Sequence, residues 1–267
     1  MRTRTTALGH NGRVDASTPA GHLTWLERYR AGDRARVWHE MRQLGARLGH
    51  EERESAQLVC DEMARRARHN VELLVDQLAS EGFRFHTNND QQTEAVPFFP
   101  AGPGAEDQAR WLVEHFGDVP MTVLSWLRIV GDVWLVGTHP DWPEAAAADP
   151  LVIELEGSSY PGDSIRDHFA SEYEYWREGQ AESRDGARLF CLPVSPDRLH
   201  KNNVSGGGPY GVVVPDGCVD GLWVGETTMP FVTYLNRVFA RGGFPGSGVS
   251  ADAWHHRARL AARLVPL

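Results

Sequence analysis

The chain has 267 residues, of which 41% are apolar, and its nine Trp and ten Phe suffice for the core of one large or two small globular domains. Its net charge of −9 argues against general affinity for nucleic acid or an anionic membrane, because both favour a basic surface. No apolar stretch has the length of a signal peptide core or a membrane span, so we expect a cytoplasmic protein.

The cysteine content predicts neither disulfide bonds nor a cysteine-bound zinc ion. Cys60, Cys191 and Cys218 are odd in number and show no CxxC spacing. This pattern indicates neither a set of disulfides nor a zinc knuckle. We expect buried thiols that behave as small apolar side chains in a reducing compartment, and no cofactor.

The N-terminal part divides into a tail and a helical region. Residues 1–20 are rich in Thr, Gly, Asn and Ser, which predicts a disordered tail. Residues 21–95 have apolar positions at helical spacing and predict a small helical bundle. Asp33 is suited to cap its second helix, and the apolar positions between Leu58 and Leu78 predict a long third helix over 52–80.

A segment rich in Pro and Gly, residues 96–104, predicts a linker or an extended covering segment and marks the domain boundary. The negative charge lies beyond the helical part. Residues 1–80 hold 13 Arg against 11 Asp and Glu, whereas the rest of the chain holds 14 basic against 25 acidic residues. A neutral or basic partner therefore suits the second part best.

In the C-terminal part the spacing of apolar residues changes along the chain. Two helical stretches come first, at 105–116 and 120–130. Short β-rich runs separated by turn signals follow and predict a mostly antiparallel sheet, with strands at 133–138, 151–155, 188–192, 210–214 and 222–226. Helical patterns return at 231–240 and in a basic C-terminal segment, 247–267. The predicted fold class is α+β, a mostly antiparallel sheet flanked by helices and preceded by an N-terminal helical bundle.

This order of elements resembles the SUKH superfamily. Val119 and Pro120 supply the turn before a helix, Trp126 is the aromatic residue within it, and Gly131 is the turn into the first strand. The later segments LPVSPDRLHKNNVSGGGPYGVVVPD and TTMPFVTYLNRVF look like that family's sheet and closing helix. The resemblance covers residues 104–246, and it implies an α+β domain over 105–246 with Trp126, Tyr234 and Leu235 in its core.

The resemblance also carries a functional expectation. SUKH domains bind partner proteins, often as immunity proteins that neutralise toxins, and long bacterial members join such a domain to an N-terminal helical part. The acidic and aromatic insertion at 160–185 and the basic tail after Gly246 depart from compact members, which suggests a different partner.

The insertion holds the richest candidate surface for a partner. Aromatic residues dominate interface hot spots, and carboxylates steer a basic partner. Residues 163–178 of the insertion predict a helix, and the alternative is that its aromatic stripe belongs to the core. The candidate residues are Glu172, Tyr173, Glu174, Tyr175 and Trp176.

A second candidate surface surrounds the glycines at 206–208. Lys201, Asn203 and Tyr210 bring polar groups to a loop whose glycines let a ligand approach the backbone closely. The alternative is a loop whose side chains hydrogen-bond their own backbone. The GxGxxG spacing of this loop lacks the preceding strand and following helix that dinucleotide binding needs.

An enzymatic alternative would use His139, Asp141, His200 and Lys201 on sheet-edge loops to act on a small molecule. No motif places a Ser or Cys nucleophile beside them, so no catalytic residue is assigned. The enzyme requires His139 and His200 to converge in one pocket, whereas a binding protein does not.

The sequence indicates no metal site. HExxH is absent, and the adjacent His255 and His256 point to different faces of a helix. Glu154 and Glu156 share one face of a strand, which suits a solvated sheet edge or a cation site, and we favour the edge. The function that the sequence favours is a non-enzymatic protein-binding module, in the form of an immunity protein against a basic toxin.

Overall fold

The computed structural model describes residues 23–160, 162, 164–182, 189–247 and 251–267. The predicted N-terminal tail lies outside these residues.

Three helices open the described chain. Thr24 and Glu27 form a capping box at the first of them. Asp33 precedes the second helix as predicted, but its carboxylate pairs with Arg28 at 2.9 Å and makes no cap hydrogen bond. The helices are α1 (Trp25–Arg30), α2 (Arg34–Leu44) and α3 (His50–Ser80).

Every strand pairing between named strands of the described chain is antiparallel, in three groups. The strands are β1 (Arg84–Phe85), β2 (Phe98–Pro100), β3 (Gly131–Trp134), β4 (Gly137–Thr138), β5 (Val152–Ile153), β6 (Phe190–Ser195), β7 (Tyr210–Val214), β8 (Leu222–Val224) and β9 (Met229–Pro230). Their orders are β1-β4, β2-β3-β5 and β6-β7-β8-β9. The larger two groups meet where the Glu154 N–H donates to the Val194 carbonyl at 2.9 Å. Glu154 therefore lies at the seam between them.

Helices cover the strands. They are α4 (Ala105–Phe116), α5 (Met121–Ser125), α6 (Ser164–Glu182), α7 (Arg198–Lys201), α8 (Phe231–Phe239) and α9 (Ala251–Ala261), with a short 3₁₀ turn at Ala145–Ala148. The predicted helix 120–130 widens into a π-helical turn at Trp126–Val130. Gly131 ends it with φ of +99°, where a Cβ would lie 2.2 Å from the Phe99 carbonyl oxygen. Only glycine fits this turn.

One hydrophobic core runs through the N-terminal helices and the strands, from Tyr29 to Leu267. The middle of residues 96–104, predicted as a linker or an extended covering segment, is extended and forms part of the fold. Phe98–Pro100 is strand β2, and it pairs with β3. The expected burial of Trp126, Tyr234 and Leu235 is confirmed.

The structure confirms the predicted α+β class. Among the helices of the described residues, none combines the length and apolar character needed to cross a membrane.

Candidate functional site

Two adjoining cavities open at the seam between the strand groups, and together we call them the seam cleft. They share Asn88, Trp134, Glu154 and Tyr160 as walls. One cavity, of about 330 Å³, extends to His168, Asp197 and His200. The other, of about 510 Å³, extends over Asp132 toward Glu94, Val96 and Phe99. The cleft thus combines apolar and aromatic walls with several carboxylates.

Glu154 is the central polar group of the seam cleft. Its side chain is buried, with 8% of the residue exposed. Its carboxylate accepts a hydrogen bond from Ser159 Oγ at 2.7 Å and another from the Tyr160 hydroxyl. Burial raises the pKa of Glu154 to about 7, and the nearby Asp132 also acts to raise it. Glu154 therefore changes its charge near neutral pH.

Asp132 organises the turn that follows Glu154. Its carboxylate accepts three backbone N–H bonds, from Leu155 at 2.7 Å, Glu156 at 2.9 Å and Ser158 at 2.7 Å. Backbone donors of this kind stabilise an ionised carboxylate. Asp132 therefore holds the chain on the C-terminal side of Glu154 in place.

The two carboxylates have no cationic partner in the described part of the chain. The hydrogen bonds made by Glu154 come from hydroxyls, and those accepted by Asp132 come from backbone amides. A buried carboxylate without a counter-ion is costly, and the pKa of the Glu154 carboxyl is accordingly raised to about 7. The seam cleft is consequently a site where a cationic ligand would be favoured.

A histidine-carboxylate pair stands at the far end of the cleft. Asp197 accepts the Leu199 N–H at 2.7 Å at the start of α7, and its second oxygen contacts His200 Nδ1. Asn88 Nδ2 donates to the His200 carbonyl at 3.0 Å and ties this end to the rest of the wall. The contact through Nδ1 leaves Nε2 as the imidazole nitrogen for a ligand.

The alternative catalytic set does not assemble into one site. His200 lines the seam cleft, whereas His139 is buried against His256 at a ring distance of 4.6 Å. Asp141 is exposed and contacts His139 through its backbone N–H, at 3.0 Å from Nδ1, rather than through its carboxylate. Lys201 lies in a third environment. Of the four residues, only His200 belongs to the seam cleft.

Lys201 and Tyr210 must be removed from the candidate partner surface, since both are buried. Lys201 Nζ pairs with Asp149 at 2.7 Å and lies 5.0 Å from the centre of the Tyr210 ring. The desolvated ammonium needs this carboxylate, and that need explains its place inside the protein. Asn203 is exposed and donates to Asp90 at 2.7 Å, so it alone of the three remains a surface residue.

The acidic and aromatic patch of α6 is divided between core and surface. Tyr173 and Trp176 pack against Phe190 with ring distances of 5.0 and 5.6 Å, as the core alternative predicts. Tyr175 is 77% exposed, and the exposed Glu174 pairs with Arg177 at 2.5 Å. A separate groove of about 730 Å³ holds the remaining candidate, Glu172, together with Tyr175, Trp176, Leu189, Cys191 and Pro209.

Sequence reasoning missed the importance of Glu154. The expectation of a solvated edge is wrong for this residue, because the hydrogen bond to Val194 places it between two strand groups. Glu156 is half-buried and accepts the Gly102 N–H at 3.1 and 3.2 Å. The available signal was an acid directly after three buried apolar residues, which is unusual at an exposed edge.

Comparisons with known proteins found no matching family model, no matching curated protein and no matching solved structure. Membership of the SUKH superfamily stays a prediction from the residues that carry the resemblance.

Proposed function

We propose that this chain is a non-enzymatic protein-binding module of SUKH type, and that its seam cleft receives a positively charged side chain of a basic partner protein. The observation that carries the proposal is the buried Glu154 carboxyl beside Asp132, which has no cationic partner among the described residues and opens onto a cleft. An Arg or Lys from a partner would supply the missing charge.

The walls of the cleft suit such a side chain. Trp134 and Tyr160 flank Glu154, and aromatic faces attract guanidinium and ammonium groups. Phe99 and Val96 extend one cavity with apolar surface for the neighbouring residues of the partner. The excess of acidic residues beyond residue 80 would speed the approach of a basic protein. The SUKH resemblance makes a basic toxin, such as a nuclease, the partner class that we propose.

The test is affinity purification from the native host at pH 8, where Glu154 is ionised. The baits are the wild type, Glu154→Gln and the control Glu114→Gln, which changes an exposed carboxylate on α4. We expect a basic protein to co-elute stoichiometrically with the wild type and the control, and to be released by salt. Its amount on the Glu154→Gln bait should fall at least tenfold, because a buried charge pair is worth about 2 kcal/mol or more.

Equal recovery on all three baits would contradict the seam cleft as the docking site. The groove of Glu172, Tyr175 and Trp176 would then be the next surface to test, through Tyr175→Ala. Absence of any basic partner would contradict the proposed function itself.

One observation favours an enzyme as the second candidate function. Glu154, with a pKa of about 7, shares a cavity with the His200–Asp197 pair. A carboxyl group with that pKa is matched to proton transfer near neutral pH. In this case Glu154 would act as an acid and His200 as a base on a small substrate. Turnover lost in both Glu154→Gln and His200→Asn, without any protein partner, would support the enzyme.

A further inference from the structure

A second cluster of polar side chains lies away from the seam cleft, where three remote segments meet. Glu81 follows the C-terminus of α3, His139 follows β4, and His256 lies on α9. One oxygen or nitrogen atom from each lies within 4.8 Å of the others. We propose that this cluster is a binding site for a divalent transition metal of the zinc class, which would fasten α9 to α3.

The first support is an unsatisfied nitrogen. His139 is 5% exposed, and its Nε2 has no hydrogen-bond partner among the residues that the structure describes. The Asp141 N–H contact to Nδ1, at 3.0 Å, fixes the other side of the ring. A buried polar atom without a partner costs about 1–3 kcal/mol. With Nδ1 as acceptor, Nε2 carries the ring proton, and a metal ion would bind this nitrogen once that proton has moved to Nδ1.

The second support is that the other two ligands already converge on a cation. Arg259 donates to both oxygens of Glu81 and, at 3.0 Å, to His256 Nδ1. The guanidinium thus stands where the carboxylate and the imidazole lone pair converge. Its side chain is 55% exposed, so it can move into water and leave both ligands to a metal.

The donor chemistry selects the kind of metal. Two imidazole nitrogens with one carboxylate oxygen match zinc and its neighbours, whereas calcium and magnesium prefer oxygen ligands.

Besides the withdrawal of Arg259, binding requires two local adjustments. Glu81 Oε2 and His256 Nδ1 are 4.0 Å apart, whereas ligands of a tetrahedral zinc ion are about 3.4 Å apart. The His139 proton must also move from Nε2 to Nδ1, which ends the contact with the Asp141 N–H. Asp141 is exposed in a turn, so its peptide group can bond water instead.

The experiment measures zinc binding to the metal-free full chain by calorimetry and by the shift of the thermal midpoint. His256→Asn removes a ligand, and the control His255→Asn changes the exposed neighbour on the same helix. We expect one zinc ion to bind the wild type and the control, with a raised midpoint. His256→Asn should bind at least tenfold more weakly, and magnesium should have no effect.

The variant Arg259→Gln gives a more direct test, because it removes the competing guanidinium while keeping all three ligands. Zinc affinity should rise in this variant. The inference is overturned if neither the wild type nor Arg259→Gln binds zinc, or if His256→Asn binds it as tightly as the wild type.

Discussion

Two buried ionisable residues, Lys201 and Glu154, meet the cost of burial in different ways. Lys201 has a carboxylate at 2.7 Å and an aromatic ring above it, so its charge is compensated inside the protein. Within the described part of the chain, the Glu154 carboxylate is bonded by hydroxyls alone, and Asp132 lies nearby. Lys201 is consequently a structural residue, whereas Glu154 is poised to respond to protons and cations.

The charge of Glu154 should make stability depend on pH. Below its unfolded pKa of 4.5, the carboxyl is protonated in both the folded and unfolded states. Between pH 4.5 and about 7 the unfolded chain releases the proton and the folded chain keeps it, so stability falls as pH rises. The full loss is about 3 kcal/mol, at about 1.4 kcal/mol per pH unit.

Glu154→Gln should remove this loss. We expect the variant to exceed the wild type in unfolding free energy at pH 8 by up to about 3 kcal/mol, and to show no such gain at pH 4. Urea unfolding at the two pH values measures the difference, with Glu114→Gln as the exposed control. A gain of the same size at both pH values would show that Glu154 does not keep a raised pKa.

At the scale of elements, long periodic segments and well-bounded strands were predictable. The helix 105–116 and the strand 210–214 have the predicted bounds, because their apolar patterns and flanking turn residues agree. The strands β1, β2 and β9 have two or three residues each and were missed. Such short pieces carry no period of their own and are defined by tertiary pairing.

The candidate site was likewise predictable only where a local pattern marks its residues. The sequence singled out His200, and the structure places it in the seam cleft. The sequence could not show that Glu154 contacts Val194, because this hydrogen bond joins two strand groups that are far apart along the chain. Similarly, His139 and His256 are 117 positions apart in the sequence, and no local spacing indicates that their rings touch.

The π-helical turn after α5 should be sensitive to loss of its aromatic residue. Trp126 is fully buried, contacts Phe231 at a ring distance of 5.9 Å, and donates from Nε1 to the Gly131 carbonyl at 2.9 Å. Trp126→Ala should cost about 3–5 kcal/mol, because it opens a cavity and leaves that carbonyl unpaired.

Chemical unfolding measures this cost, with Trp254→Ala as the matched control. Trp254 is 59% exposed on α9 and should change stability little. An unfolding free energy for Trp126→Ala within 1 kcal/mol of the wild type would contradict the assigned role of this side chain.

At the scale of the whole molecule, polar contacts join the N-terminal helices to the C-terminal part at several points. Arg42 of α2 pairs with the buried Asp220 at 2.6 Å. Asn70 of α3 exchanges two hydrogen bonds with the backbone of Val265, at 2.8 and 2.9 Å. The N-terminal helices and the C-terminal part are thus held together on one shared core. The seam cleft depends on this arrangement, because its wall includes residues such as Asn88 and Val96 that precede the C-terminal domain.

Limited proteolysis tests the shared core as a property of the whole chain. Val96 is 55% exposed and is a candidate cleavage point, whereas Phe98–Pro100 is protected by its pairing with β3. After a cut at Val96, the two fragments should remain together in gel filtration without denaturant, because separation would expose the apolar surface of α3. They should also unfold in a single transition with a lowered midpoint. Fragments that separate as folded monomers would show that the helices form an independent domain, and the shared core would then contribute little to stability.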